Sequence, residues 1–175
     1  TMFKVVFIDD ETLVKLGLRS MLNWEDEGFQ IEGDASTGSE GLSLITETNP
    51  DLVITDIIMP DMNGIEMMQK VKENHLDPIF VVLSSYDQFE LVKKAMKLGA
   101  KDYLLKLKLN REILLDMLET VKQELKNKGK TDWKNEPSVW QTEELRKAFL
   151  KKALLGESLL MEQSDFDLGW KNKPV

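Results

Sequence analysis

Five apolar, strand-like runs alternate with five stretches of helical periodicity along this chain, and that alternation constrains its fold more than any other feature. The runs fall near residues 3–8, 29–34, 52–55, 79–83 and 101–105. A strand followed each time by an amphipathic helix is the pattern of an α/β domain. The first helix is expected over about 12–22, packing on the sheet through Leu13, Leu16, Gly17, Met21 and Leu22. Thr37 with Glu40, and Asp87 with Glu90, have capping-box spacing and predict where the second and fourth helices start. Gly64 opens the third helix, and Gly99 suits a left-handed helix terminus before the fifth strand. In the fifth helix, about 110–127, Leu114, Leu118, Val121 and Leu125 form a seam, either a sheet-facing stripe or the start of a dimerising coil.

A chain of 175 residues, 42% hydrophobic, can bury one full core, with about fifty residues left for a second, incomplete unit. Residues 2–128 read as the compact domain and 129–138, polar and carrying Gly129 and Pro137, as a linker. Residues 139–175 read as a helix and tail. Thr142 to Leu155 is amphipathic, with Leu145, Phe149, Ala153 and Leu154 on one side and no expected partner in this chain. The tail, with Leu159, Phe166 and Trp170, reads as the start of a truncated region. The absence of cysteine fits a reducing compartment, so a cytoplasmic location is expected. No run of eighteen apolar residues exists to span a membrane. Residues 1–105 carry 9 basic and 19 acidic side chains, and 106–152 carry 12 and 8. So acidic a main unit is ill suited to gripping nucleic acid by phosphate neutralisation.

In open α/β sheets, ligands sit at the carboxyl ends of the strands. Leu52-Val53-Ile54-Thr55 ends in Asp56, the first run ends in Asp9-Asp10-Glu11, and the fifth leads into Lys106. Asp9, Asp10 and Asp56 on adjacent strand ends repel one another unless a cation lies among them. Mg²⁺, a hard ion that takes carboxylate oxygens, a carbonyl and waters, is the natural occupant. Lys106 suits an incoming phosphoryl group, and the hydroxyl of Ser84, ending the fourth run, can donate to another phosphoryl oxygen. His75 reads as a solvated residue at the end of the third helix.

These residues, with Ile57-Ile58-Met59-Pro60 after Asp56, Gly64, and Tyr103 three before Lys106, resemble the signature of response-regulator receiver domains of two-component systems. The resemblance covers about residues 2–128. It implies a flavodoxin-like (CheY-like), doubly wound, five-stranded parallel sheet of order 2-1-3-4-5, here with a C-terminal helical extension. It further implies that Asp56 takes a phosphoryl group from a phosphohistidine on a sensor histidine kinase. Asp9, Asp10, Asp56 and the Ile58 carbonyl would hold Mg²⁺, Lys106 would contact the phosphoryl group, and Ser84 with Tyr103 would form a switch. Such a domain is no enzyme in the ordinary sense, since it catalyses only its own phosphorylation and dephosphorylation. The stretches Leu16 to Trp24 and Leu83 to Glu90 resemble more narrowly the YesN-like branch, whose members end in an AraC-type helix-turn-helix domain. No helix-turn-helix is visible in these 175 residues, so DNA binding would belong to a missing C-terminal domain. A homodimer on activation is expected, and the face formed by the fourth helix, fifth strand and fifth helix is expected to be the output surface.

The sequence departs from the family after Lys106, where Leu107 stands in place of the usual proline. A cis bond to a non-proline residue costs roughly 2.5–4 kcal/mol, so a trans loop of altered shape, or a strained one, is expected. Lys108 is an alternative holder of the lysine role. Two other classes compete: a receiver-like interaction module that takes no phosphate, and a haloacid-dehalogenase-type phosphohydrolase. The latter wants an aspartate two residues after the nucleophile, where this chain has Ile58.

Overall fold

The computed structural model describes residues 2–128 and 142–155. The expected linker 129–138 lies outside the described residues, as does the tail beyond Leu155. The elements run β1 (Phe3–Ile8), α1 (Thr12–Met21), β2 (Phe29–Ala35), α2 (Gly38–Thr48), β3 (Leu52–Asp56), α3 (Gly64–Glu73), β4 (Ile79–Ser84), α4 (Phe89–Lys97), β5 (Asp102–Leu105), a short 3-10 turn (Lys106–Lys108), α5 (Arg111–Asn127) and α6 (Thr142–Leu155). All strand pairs are parallel, in the order β2-β1-β3-β4-β5. The expected flavodoxin-like sheet is therefore the observed one.

Strand residues alternate between two apolar cores, as the two-residue period of a strand requires. Val5, Phe7, Ile54, Val81 and Leu83 meet α1 and α5 on one face. Val6, Ile8, Val53, Val82 and Tyr103 meet α2, α3 and α4 on the other. Because β1, β3 and β4 are covered on both sides, their apolar runs are nearly continuous. Leu114, Leu118 and Val121 of α5 are fully buried, so that stripe faces the sheet; any continuation as a coil lies outside the described residues.

Three expectations fail, each for a local reason. In α1, Leu13 is 82% exposed and Leu16 is also exposed, whereas Leu18 is buried with Leu22 just beyond the helix. The helix is turned so that Val14, Leu18 and Leu22, with Met21, face β1 and Trp24. Asp87 caps nothing, for α4 starts after Gln88 without a side-chain cap. Thr37 does cap α2, accepting from the Glu40 amide at 3.1 Å while the Glu40 carboxylate accepts from Ser36 N at 3.0 Å. Finally, α6 has a partner: Leu145 and Phe149 are buried in the core beside α4 and β5, and only Leu154 of its predicted apolar side stands in solvent.

Candidate functional site

Three strand ends and the turn after β5 build a pocket at the carboxyl edge of the sheet. β3 ends in Asp56, whose register partner on β4 is Leu83. Its carboxylate is nearly buried and fixed at both oxygens: Ile57 N donates to Oδ1 at 2.7 Å, and Lys106 Nζ donates to Oδ2 at 2.8 Å. Gly64 explains how α3 can start so close by. Its amide donates to Ile57 O at 2.7 Å, and a Cβ there would lie 2.5 Å from the Asp56 carbonyl oxygen. Only a residue without a side chain permits that approach.

Asp9, fully buried at the end of β1, accepts from Glu11 N through Oδ1 at 2.8 Å. Lys106 Nζ lies 2.9 Å from its Oδ2, but off the line of a hydrogen bond, so that buried oxygen has no donor aimed at it. Lys106 also pairs with Glu11 at 2.7 Å. One ammonium thus bridges three carboxylates, and oxygens of Asp9, Asp10, Glu11 and Asp56 come within 4.8 Å of one another. Four acids against one lysine leave the pocket short of positive charge.

The titration behaviour expresses that shortage. Burial pushes Asp9 up to about 6, against the pull of the Glu11 amide and of Lys106. Burial likewise raises Asp56 above the ordinary carboxylate range, with Lys106 and the Ile57 amide opposing and Asp10 adding to the rise. For Lys106, burial works against the ammonium, yet its contacts with Asp56, Glu11 and Asp9 outweigh it and raise its pKa. The all-oxygen donor set and the unanswered Asp9 oxygen fit a hard divalent cation. Asp9, Asp10 and Asp56 are the residues expected to hold one, and Glu11 joins them, a member that sequence reasoning missed although it directly follows the two aspartates. Ile58 stands in the loop immediately after Asp56, its side chain half exposed.

The loop after Lys106 contains no cis bond and winds as a 3-10 turn. The trans alternative is the observed one, and Lys106, rather than Lys108, reaches the acids. Ser84 ends β4, buried, with Oγ lacking any hydrogen-bond partner among the described residues. Tyr103 pairs in register with Val82 and Leu105 with Ser84, so Ser84 and Tyr103 are two positions apart on one sheet face. Tyr103 is fully buried and its hydroxyl is also unpartnered. The structure joins neither hydroxyl to Asp56. Burial, and the neighbouring Asp102 charge, push the Tyr103 phenol far up, keeping it neutral.

A parallel sheet of this order, with an acidic, lysine-bridged pocket at its carboxyl edge, defines a flavodoxin-like domain of the receiver type. A family model for the response regulator receiver domain matches residues 5–119, and the chain belongs to that family. It is similar to the transcriptional regulatory protein YesN of Bacillus subtilis, 38% identical over 125 residues, which cover 71% of this chain and 34% of that protein. It is also similar to the transcriptional regulatory protein HptR of Staphylococcus aureus, 45% identical over 105 residues covering 60% of this chain and 41% of that one. Among solved structures, the receiver domain of the response regulator AraT from Geobacillus stearothermophilus superposes with a TM-score of 0.70 at 28% identity, covering 74% of this chain and all of that one. The chain spans well under half the length of these curated relatives. No helix among the described residues is long and apolar enough to cross a membrane.

Proposed function

We propose that this receiver accepts a phosphoryl group on Asp56 from a sensor histidine kinase, with Mg²⁺ held by Asp9, Asp10, Asp56 and the Ile58 carbonyl. The observation that carries the reading is the Asp56 carboxylate, nearly buried at a strand end, with Lys106 Nζ at 2.8 Å and three further acids in reach. A carboxylate is a competent nucleophile toward phosphorus once the phosphoryl oxygens are neutralised, and catalysis then consists of positioning and charge stabilisation. The bound cation supplies part of that neutralisation and relieves the surplus of carboxylates. Lys106 supplies the rest, trading its contacts with Asp9 and Glu11 for a phosphoryl oxygen. Asp56 Oδ forms the new P–O bond as the bond to the donor imidazole nitrogen breaks. The domain turns over nothing but its own phosphoryl group.

In this reading Ser84 gives its unsatisfied hydroxyl to the phosphoryl group and Tyr103, on the same sheet face, repacks in response, altering the face formed by α4, β5 and α5. That face is the output surface and the site of an activation-dependent homodimer. The output is transcriptional control, which the likeness to the transcriptional regulatory proteins YesN and HptR supports, and in this reading it is exerted in the cytoplasm through an AraC-type DNA-binding domain beyond these residues. Incubation with acetyl phosphate and Mg²⁺ should add about 80 Da, the mass of one phosphoryl group, to the parent chain and nothing to Asp56→Asn. No adduct at saturating donor and metal would leave a receiver-like interaction module instead.

A further inference from the structure

Among the described residues the α4–β5 face is already covered by α6. α6 lies against α4 and β5, and it bears directly on the switch tyrosine: the Phe149 ring stacks on Tyr103 with centroids 5.6 Å apart and planes at 28°, and meets Phe89 of α4 edge-on at 5.5 Å. One turn further along α6, Lys152 is 5% exposed. Its Nζ donates to Asp102 Oδ1 at 2.7 Å and to the Tyr103 carbonyl oxygen at 2.6 Å, and stands 3.9 Å from the centre of the Tyr103 ring. A lysine goes into a core only where its charge is answered, so these partners specify one docking register rather than a generic greasy contact.

The contact is also small. Leu145 and Phe149 are the buried apolar side chains of α6 among the described residues, Leu150 and Leu154 are exposed, and a groove lined by Tyr86, Phe89, Glu90, Glu143 and Arg146 runs open along the α4–α6 seam. Fourteen residues separate the end of α5 from the start of α6, enough chain for α6 to leave without being lost, and the tether lets a weak contact hold by effective concentration. We propose that α6 is a reversible clamp acting in cis on the α4–β5 face: docked, it closes over Tyr103 through Phe149 and Lys152 and excludes a second copy; released, it frees both ring and face. The clamp's linkage to phosphorylation and its exclusion of a second copy rest on the function proposed above; the docking of α6 over Tyr103 does not. Where Asp56 and α6 both bias the Tyr103 environment, each must shift the other by the same factor.

The chain has two tyrosines, Tyr86 and Tyr103, of which Tyr86 is 40% exposed and Tyr103 fully buried. Nitration by tetranitromethane, read by peptide mass spectrometry, therefore reports the clamp at Tyr103 with Tyr86 as internal reference. In the unaltered chain Tyr103 should react far more slowly than Tyr86. Phe149→Ser and Lys152→Gln, at separate points of α6, should each raise the Tyr103 rate by roughly tenfold or more, the effect of losing about 1.4 kcal/mol of docking, while the exposed-site control Leu154→Ser should not. Equal Tyr103 and Tyr86 rates in the unaltered chain, a Tyr103 rate unmoved by both α6 variants, or a rise in the control would each overturn the clamp. Acetyl phosphate with Mg²⁺ should then change the Tyr103 rate in the unaltered chain and not in Asp56→Asn. A phosphorylated chain with an unchanged rate overturns the linkage. Absence of any phosphoryl adduct, with the variant effects intact, defeats the phosphoacceptor reading and leaves the clamp standing.

Discussion

Two of the lysines drawn into this molecule, Lys106 and Lys152, behave oppositely. Lys106 at the strand-end pocket faces Asp9, Glu11 and Asp56, each within 2.9 Å; although burial opposes the charge, these contacts raise its pKa. Lys152 of α6 faces one carboxylate among the described residues, Asp102, and there burial prevails and lowers its pKa despite the ion pair. The difference lies in the count of counter-charges, since a single pair must offset the desolvation of both ions whereas a cluster of acids gains from each added cation. The first pocket is left in surplus and so calls for a ligand. The second is balanced and closed, and serves to fix where a helix lies.

The largest expected effect separates the two lysines by chemistry. Lys106→Met should slow phosphorylation by acetyl phosphate by roughly 10²–10³, the scale of losing one charge-stabilising donor at a reacting oxygen, and Lys152→Met by no more than about tenfold. Comparable losses would mean that both act through the fold rather than through charge at the phosphoryl group. Single-turnover mass spectrometry at fixed Mg²⁺ measures both.

The next effect tests the surplus itself. A carboxyl whose folded pKa is raised stabilises the fold below its unfolded value and forfeits that stability as pH rises through the folded value. For Asp9 the window runs from 3.8 to about 6. With EDTA present, Asp9→Asn should therefore be more stable than the unaltered chain at pH 8 by up to about 3 kcal/mol, taking 1.36 kcal/mol per pKa unit, and equal to it below pH 3.8. Mg²⁺ should reverse the order at pH 8 by stabilising only the chain that keeps its ligand. Urea midpoints across that range decide it; a substitution that destabilises at pH 8 without metal would show that the pocket is not short of positive charge.

The contrast between the lysines also marks what the sequence makes legible. Lys106, Asp9, Asp10, Asp56 and Ser84 can be found because each sits at the end of an apolar run, and parallel strands bring such ends to one edge whatever the helices between them do. Where position depends on rotation about a helix axis, sequence says less. Leu13 and Leu16 of α1 share helical spacing with Met21 and Leu22, but so do Val14 and Leu18, and packing against Trp24 and β1 keeps Met21 and Leu22 while replacing the first two by Val14 and Leu18. Asp87 with Glu90 has the spacing of a cap, yet α4 starts at Phe89, leaving Asp87 two residues outside the helix. Glu11 is visible as an acid but not as a partner of Lys106, since that contact spans 95 residues of chain. Lys152 is least legible: on its own helix it reads as one of several solvated lysines, and its role exists only once α6 has met Asp102, 50 residues away.

The smallest effect asks whether the closed pair belongs to the core or only to the clamp. Breaking a buried ion pair typically costs 3–5 kcal/mol because the survivor is left buried and unpaired. In Lys152→Met that penalty has an escape, for α6 can lift off and let water reach Asp102. The loss should therefore be capped at the docking free energy, about 1–2 kcal/mol, as expected of a unit that opens separately from the core. Hydrogen exchange should show α6 amides losing protection while those of β1, β3 and β4 keep theirs. Adding Asp102→Asn should return part of the α6 protection, because a neutral amide at that position tolerates renewed burial by Met better than a carboxylate does. Loss of protection in the central strands as well would make α6 an integral layer of the domain, and Lys152 a structural counterpart of Lys106 rather than its opposite.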